Sequence, residues 1–96
     1  MQYDLIFSTY VNKTGKQLNQ AELEADLVKV AKKFNLQGFS LTNQIGYWAG
    51  ELEQSHVLSL LEVDKRTAFK ISNHIKARYK QDAVILRPIK QINYFI

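Results

Sequence analysis

Cysteine is absent from the 96 residues, which excludes disulfides and thiolate metal ligands and suits a reducing compartment. No apolar run approaches the roughly 18 residues that a membrane-spanning helix needs. The chain opens with Asp4 rather than with the basic start of a secretory signal. Together these predict a cytoplasmic protein without membrane contact. Histidine occurs only at His56 and His74, and neither has an i,i+4 or H-x-E companion, so zinc and deaminase patterns are lacking and no metal site is expected. Asn12-Lys13-Thr14-Gly15-Lys16 lacks the glycine spacing and Lys-Ser/Thr ending of a phosphate-binding loop and is turn chemistry instead. Acidic side chains are scarce late in the chain. Residues 65–96 carry eight basic groups and one acidic, a balance of +7, whereas residues 1–64 carry five and eight, a balance of −3.

What is present reads as one globular domain over residues 1–96, with 46% hydrophobic and 23% charged residues. Tyr3, Leu5, Phe7, Thr9 and Val11 alternate with Asp4, Ile6, Ser8 and Tyr10, predicting a strand over 2–11. Asn19 is placed to cap a helix, with Glu22 three residues on in capping-box position. Leu23, Leu27, Val30, Ala31 and Phe34 then share one helical face. Residues 35–38 end this helix. Strands are predicted over 39–45 and 56–63, joined by a connection over 44–55. In the second of these, Val57, Leu61 and Val63 oppose Leu58 and Leu60, so both faces of the strand call for cover.

Asp64 caps a second helix over 65–79, whose buried stripe is Ala68, Ile71, Ile75 and Tyr79. Roughly opposite lie Arg66, Lys70, Lys76 and Lys80. At 100° per residue Phe69 falls on that basic side. A fourth strand is predicted over 83–86, with Pro88 ending its pairing or marking an edge. Residues 89–96 are strongly β-prone and predict an additional C-terminal strand, on the sheet edge or added to a neighbouring subunit. Helices in this order cover one sheet face only. A second copy of the chain is the simplest cover for the other, predicting a homo-oligomer.

Gly46-Tyr47-Trp48-Ala49-Gly50 is the most pointed local signal. Two glycines frame two aromatics at a hairpin end, where exposed rings suit a flat ligand or a protein surface. The same residues also read as a continued strand with Gly50 making the turn. Glu51 and Glu53 follow closely. They have the chemistry of an acid–base pair, but nothing nearby supplies a nucleophile, and solvated carboxylates are the simpler reading. Arg87 and Lys90 add two cations beside the last strand.

These residues predict a non-enzymatic binding or regulatory protein with no catalytic residue and no cofactor. Gly46, Tyr47, Trp48, Gly50 and Glu51, joined by Arg87 and Lys90 of a neighbour, would capture a small anionic ligand or a protein partner. The alternative is a nucleic-acid surface made of Arg66, Phe69, Lys70, Lys76 and Lys80 on the second helix.

The order strand, helix, two strands, helix, strand resembles the ferredoxin-like superfold, an α+β β-α-β-β-α-β sandwich. RNA-recognition domains share that order. However, His56-Val57-Leu58-Ser59-Leu60-Leu61-Glu62-Val63 lacks the aromatic and basic pattern of their signature strand. The whole chain resembles the trimeric PII and CutA type in its connection over 44–55 and its added strand over 89–96. That resemblance implies trimers in which the connecting loop and subunit clefts bind nucleotides or metabolites. Here the loop is shorter and carries no nucleotide-binding motif. The small size and the Lys-, Asn-, Gln- and Ile-rich composition also suit a phage or mobile-element protein, including one that inhibits a host defence by binding.

Overall fold

The computed structural model describes residues 1–11 and 15–90, with Trp48 described by its main chain alone. Six elements follow in order: β1 (Gln2–Ser8), α1 (Gln20–Lys33), β2 (Gly38–Trp48), β3 (Glu51–Leu61), α2 (Lys65–Arg78) and β4 (Ile85–Ile89). The strands form one sheet in the order β2-β3-β1-β4, and every pairing is antiparallel. Two helices against one four-stranded antiparallel sheet in this order make a ferredoxin-like α+β fold.

Local chemistry sets the helix starts. Asn19 Oδ1 accepts from the Glu22 N–H at 3.1 Å, and Asp64 Oδ1 accepts from the Thr67 N–H at 2.7 Å. Each bond satisfies one of the free donors of a first turn. The helices then bury Leu23, Leu27 and Val30 from α1, and Ala68, Ile71, Ser72 and Ile75 from α2. Ser72 is buried without penalty because its hydroxyl donates to the Ala68 carbonyl at 2.9 Å. Beneath them the sheet presents Tyr3, Leu5 and Phe7 of β1 with Leu58 and Leu60 of β3, and these residues form one core cluster.

The register fixes the opposite face. Leu5 lies across from Leu58, and Asp4 from Ser59 and Arg87. Because strand side chains alternate, Asp4, Ile6, Ser59, Ile85 and Arg87 point away from the helices. No described element covers that face.

Several boundaries differ from the pattern-based expectations. β1 ends at Ser8 rather than at residue 11, and Tyr10 is left with an isolated bridge to Gln17. Val63 does not share the side of Val57. The chain turns through a positive φ of 51° at Glu62, and Val63 joins the helix-side core with its N–H on the Met1 carbonyl at 3.0 Å. Pro88 does not end the pairing. It lies inside β4, opposite Tyr3, on an edge strand where a missing N–H leaves no ladder bond unmade. Of the strand expected over 89–96, Ile89 closes β4 and residues 91–96 lie outside the described residues. So do residues 12–14 of the expected first turn.

The largest difference is the connection over 44–55. β2 and β3 pair without a break from Gly38↔Leu61 to Trp48↔Glu51, and only Ala49 and Gly50 are left to turn the chain. Both have positive φ, 50° and 85°, the conformation that continues strand twist through a two-residue hairpin.

Candidate functional site

The long hairpin outruns the rest of the sheet. β1 follows β3 only as far as Ser8↔Ser55. Beyond it, Ile45↔Gln54, Gly46↔Glu53, Tyr47↔Leu52 and Trp48↔Glu51 form a two-stranded arm. Four pairs at about 3.4 Å each carry the arm about 13 Å past the sheet. Tyr47 and Leu52 stand directly opposite each other, and Ile45 lies two residues along the same face. These three are 73%, 74% and 67% exposed. An isolated ribbon of this kind is marginally stable in water, so three large apolar groups on one side of it mark a surface made to be covered.

At the root of the arm, where β1 has ended, lies an open groove of about 660 Å³ lined by Ile6, Tyr10, Ile45, Leu52, Glu53 and Ile85 among others. This volume falls in the usual range for small-molecule sites. Gln81, buried and also in the lining, ties the groove together. Its Oε1 accepts from the Ser8 N–H at 3.0 Å, and its Nε2 donates to the Tyr10 and Tyr79 carbonyls at 2.9 and 3.1 Å. One amide thus holds the end of β1 against the chain leaving α2. The Thr9 hydroxyl donates to the Gln54 carbonyl at 3.4 Å and pins the arm's root.

The arm holds Gly46, Tyr47, Gly50 and Glu51 together, with the Trp48 backbone among them and its side chain outside the described residues. Tyr47 and Glu51 do not line the groove, whereas Glu53 does. Both carboxylates are exposed, and among the described residues neither has an ion-pair partner. Arg87 and Lys90 lie elsewhere. Arg87 Nη2 donates to Asp4 Oδ2 at 3.5 Å on the uncovered sheet face. Asp4 sits four residues, about 13 Å, back along β1 from the arm's root. Lys90 follows β4 at the far end and is exposed. One chain therefore does not bring these cations to the arm.

On the helix side, Tyr79 Oη donates to Asp26 Oδ2 at 2.7 Å, and His74 Nε2 lies 3.1 Å from the same oxygen. Burial pushes the Asp26 carboxyl up, but the Tyr79 and His74 contacts outweigh it and hold the group below its ordinary range. Burial, then the Asp26 hydrogen bond, push the Tyr79 hydroxyl well above its usual value. The Tyr79 ring stacks on Phe7 with centroids 6.4 Å apart. His56, on the other side of Phe7 at 5.3 Å, is buried, and burial depresses its pKa. Its Nδ1 has no hydrogen-bond partner among the described residues. Among those residues no group of three His, Asp or Glu side chains is placed to hold a metal ion.

Arg66, Lys70, Lys76 and Lys80 are exposed, as is Phe69, whose ring lies 5.9 Å from Lys65 Nζ. Sequence reasoning missed Gln81, Tyr10, Ile6 and Ile85. Gln81 reads as an ordinary turn residue, and no local signal marks the others as lining a groove.

No protein-family model matches the sequence, and no curated protein matches it. Solved structures do share the fold. A phage SAM lyase in its apo state superposes with a TM-score of 0.69 at 16% identity, over 88% of this chain and 75% of that one. The phage SAM lyase in complex with S-methyl-5'-thioadenosine gives 0.61 at 15% identity, over 88% and 76%. CutA1 from Pyrococcus horikoshii gives 0.56 at 15% identity, over 97% and 87%. The likeness to CutA proteins thus extends to the fold, although of the features it was read from the connection over 44–55 is a two-residue hairpin and residues 91–96 of the added strand lie outside the described residues. The expectation of a non-enzyme is corrected. It rested on the absence of a catalytic motif, and structures that share this fold include a lyase.

Proposed function

We propose that this chain binds an adenosyl sulfonium compound of the S-adenosylmethionine class in the groove at the root of the arm and cleaves it. The observation that carries the reading is the groove, which combines apolar walls from Ile6, Ile45 and Ile85, the Tyr10 lining and the Glu53 carboxylate. Support comes from the phage SAM lyase that carries the same fold and has been solved with S-methyl-5'-thioadenosine. Apolar walls and a tyrosine ring suit an adenine. An unpaired carboxylate suits the positive sulfonium.

Release of S-methyl-5'-thioadenosine breaks the bond between sulfur and the side-chain γ carbon. Sulfur leaves with the bonding pair and becomes a neutral thioether. The γ carbon receives a new pair from within the substrate, either from the substrate's own carboxylate or from a neighbouring C–H bond whose proton a base removes. Glu53 is the chain's candidate for holding the sulfonium or taking that proton.

The arm and the bare sheet face lead to a homo-oligomer in which a neighbour covers Ile45, Tyr47 and Leu52. In such an assembly Arg87 and Lys90 of a neighbour would meet the substrate's carboxylate, and the Gly46 to Glu51 tip would close over the ligand. A cytoplasmic location, where such a substrate would be met, goes with this reading. The composition that suits a phage protein agrees with this reading.

The test is incubation of the purified chain with S-adenosylmethionine and quantification of S-methyl-5'-thioadenosine against a protein-free blank. Formation well above the blank is expected, with Glu53→Gln slowing it by roughly 100-fold, a common loss for a positioned acid or base. No thioadenosine above the blank, together with no calorimetric binding of S-adenosylmethionine, overturns the proposal.

A further inference from the structure

We infer that the outer face of α2 binds single-stranded nucleic acid, with the strand's phosphates along a basic stripe and one base stacked on Phe69. This surface lies on the outer side of the helix layer, apart from the groove, and does not rest on the lyase reading. Ala68, Ile71, Ser72 and Ile75 turn α2 onto the sheet. At 100° per residue Arg66, Phe69, Lys70, Asn73 and Lys76 fall within about 120° on the opposite side, and Lys80 follows two residues after the helix ends. All six are exposed.

Two comparisons within the molecule separate this stripe from an ordinary solvated helix back. The first is with α1, whose sequence QAELEADLVKVAKK carries acids and bases in equal number. α2, KRTAFKISNHIKAR, carries no carboxylate. The second concerns placement. Cations favour a helix C-terminus and disfavour its N-terminus. Lys76 and Arg78 obey that rule, but Lys65 and Arg66 stand in the first turn with no acid beside them except the Asp64 cap. The first-turn cations oppose the helix dipole, and among the described residues their contacts within the fold are limited to the Phe69 ring under Lys65 and the charge of the Asp64 cap beside Arg66, so their placement points outward, to an anionic partner.

Phe69 names the kind of anion. It is 50% exposed in the middle of the stripe, with Lys65 against its ring among the described residues. A base can replace that ammonium by stacking, which an acidic polypeptide has no ring to do. Asn73 offers an amide beside it. Fourteen residues at about 1.5 Å each make a stripe about 21 Å long, which spans several phosphates. Asp82 lies at one end, beside Lys76 and Lys80, and Asp64 at the other. The stretch between them is free of negative charge.

The experiment is fluorescence anisotropy of the purified protein with a labelled 20-nucleotide oligo(dT) and with a duplex of the same length, over a series of salt concentrations. Single-strand binding is expected to weaken with salt at a log–log slope of about −3, some four phosphate contacts at about −0.7 each. Lys70→Gln with Lys76→Gln is expected to flatten the slope by about 1.4. Phe69→Ala is expected to weaken binding about fivefold or more and leave the slope unchanged. Circular dichroism confirms that these surface variants fold. Absence of salt-dependent binding, tighter binding to the duplex, or full affinity in Phe69→Ala each overturns the inference. Equal displacement by poly-glutamate with no Phe69 dependence would assign the stripe to acidic polypeptides.

Discussion

Replacing Tyr79 with phenylalanine removes one oxygen from the seam between α1 and α2 and little else. The ring that stacks on Phe7 is retained, so the change isolates the hydroxyl's 2.7 Å bond to Asp26. The Asp26 side chain is only 14% exposed, so water cannot freely replace the lost donor. A hydrogen bond to a charged group contributes about 1.5–3 kcal/mol. For a chain of this length each kcal/mol moves Tm by about 4–8 °C. Tyr79→Phe is therefore expected to lower Tm by about 6–24 °C at pH 7.

The pH dependence carries a sign that identifies the partner. Asp26 is held below its ordinary value of 3.8 in the folded chain. The unfolded state thus binds more protons near that pH, and stability rises with pH there. The contribution is complete above about 3.8 and is lost as pH falls through the depressed folded value. Tyr79→Phe weakens that depression, so the stability gap between variant and parent should narrow in acid. Thermal melts by circular dichroism at pH 7 and across pH 2–5 measure both quantities. A loss under about 0.5 kcal/mol, or a gap that stays constant in acid, would refute the assignment of this bond as a stabilising seam contact.

The remaining expectations concern single positions. His56 is kept neutral by burial, so its contribution is complete above the ordinary value of 6.5 and declines as pH falls below it. The denaturation midpoint should drop between pH 6.5 and 5, and His56→Leu should flatten that interval; an unchanged slope in the variant contradicts the reading. Ala49 holds a positive φ of 50° in the arm's turn. Ala49→Asn, which adopts this conformation more readily, should raise stability by about 0.5–1 kcal/mol, and a lowered Tm would count against the turn geometry.

Where one face of an element is buried, the sequence periodicity is legible. Tyr3, Leu5 and Phe7 alternate because the helices dry one side of β1, and both helix starts follow from Asn19 and Asp64 as cap residues. Element order and class follow from the same patterns. Legibility ends where a backbone event breaks the phase. The positive φ at Glu62 moves Val63 to the other face, and nothing in the run from His56 to Val63 announces it. β3's early start is likewise hidden, because Glu51, Leu52, Glu53 and Gln54 have no buried side to impose alternation.

The same physics explains why the groove was not legible. Its lining comes from β1, β3, the arm and the chain after α2, and only the antiparallel register brings Ile6, Glu53 and Ile85 to one place. Gln81 matters through three bonds to main-chain atoms, which leave no composition or spacing signal. The basic stripe on α2 was legible because it lies within one helix, where a fixed 100° step turns sequence into surface. Charge on a helix back and an exposed ring need no tertiary information to be found.

The arm is the main support for the proposed homo-oligomer. Four cross-strand pairs with Ile45, Tyr47 and Leu52 bare to water gain little from burial, and the turn adds the strain of Ala49 at positive φ. A ribbon so placed is stabilised chiefly by whatever covers it. A copy of the same chain offers an uncovered sheet face bearing Ile6 and Ile85, with Arg87 on its edge strand β4 beside Asp4. The groove at the arm's root would then be closed by a neighbour rather than by a lid. Its chemistry would depend on assembly, whereas the stripe on α2, facing outward from the helix layer, would remain open in either state.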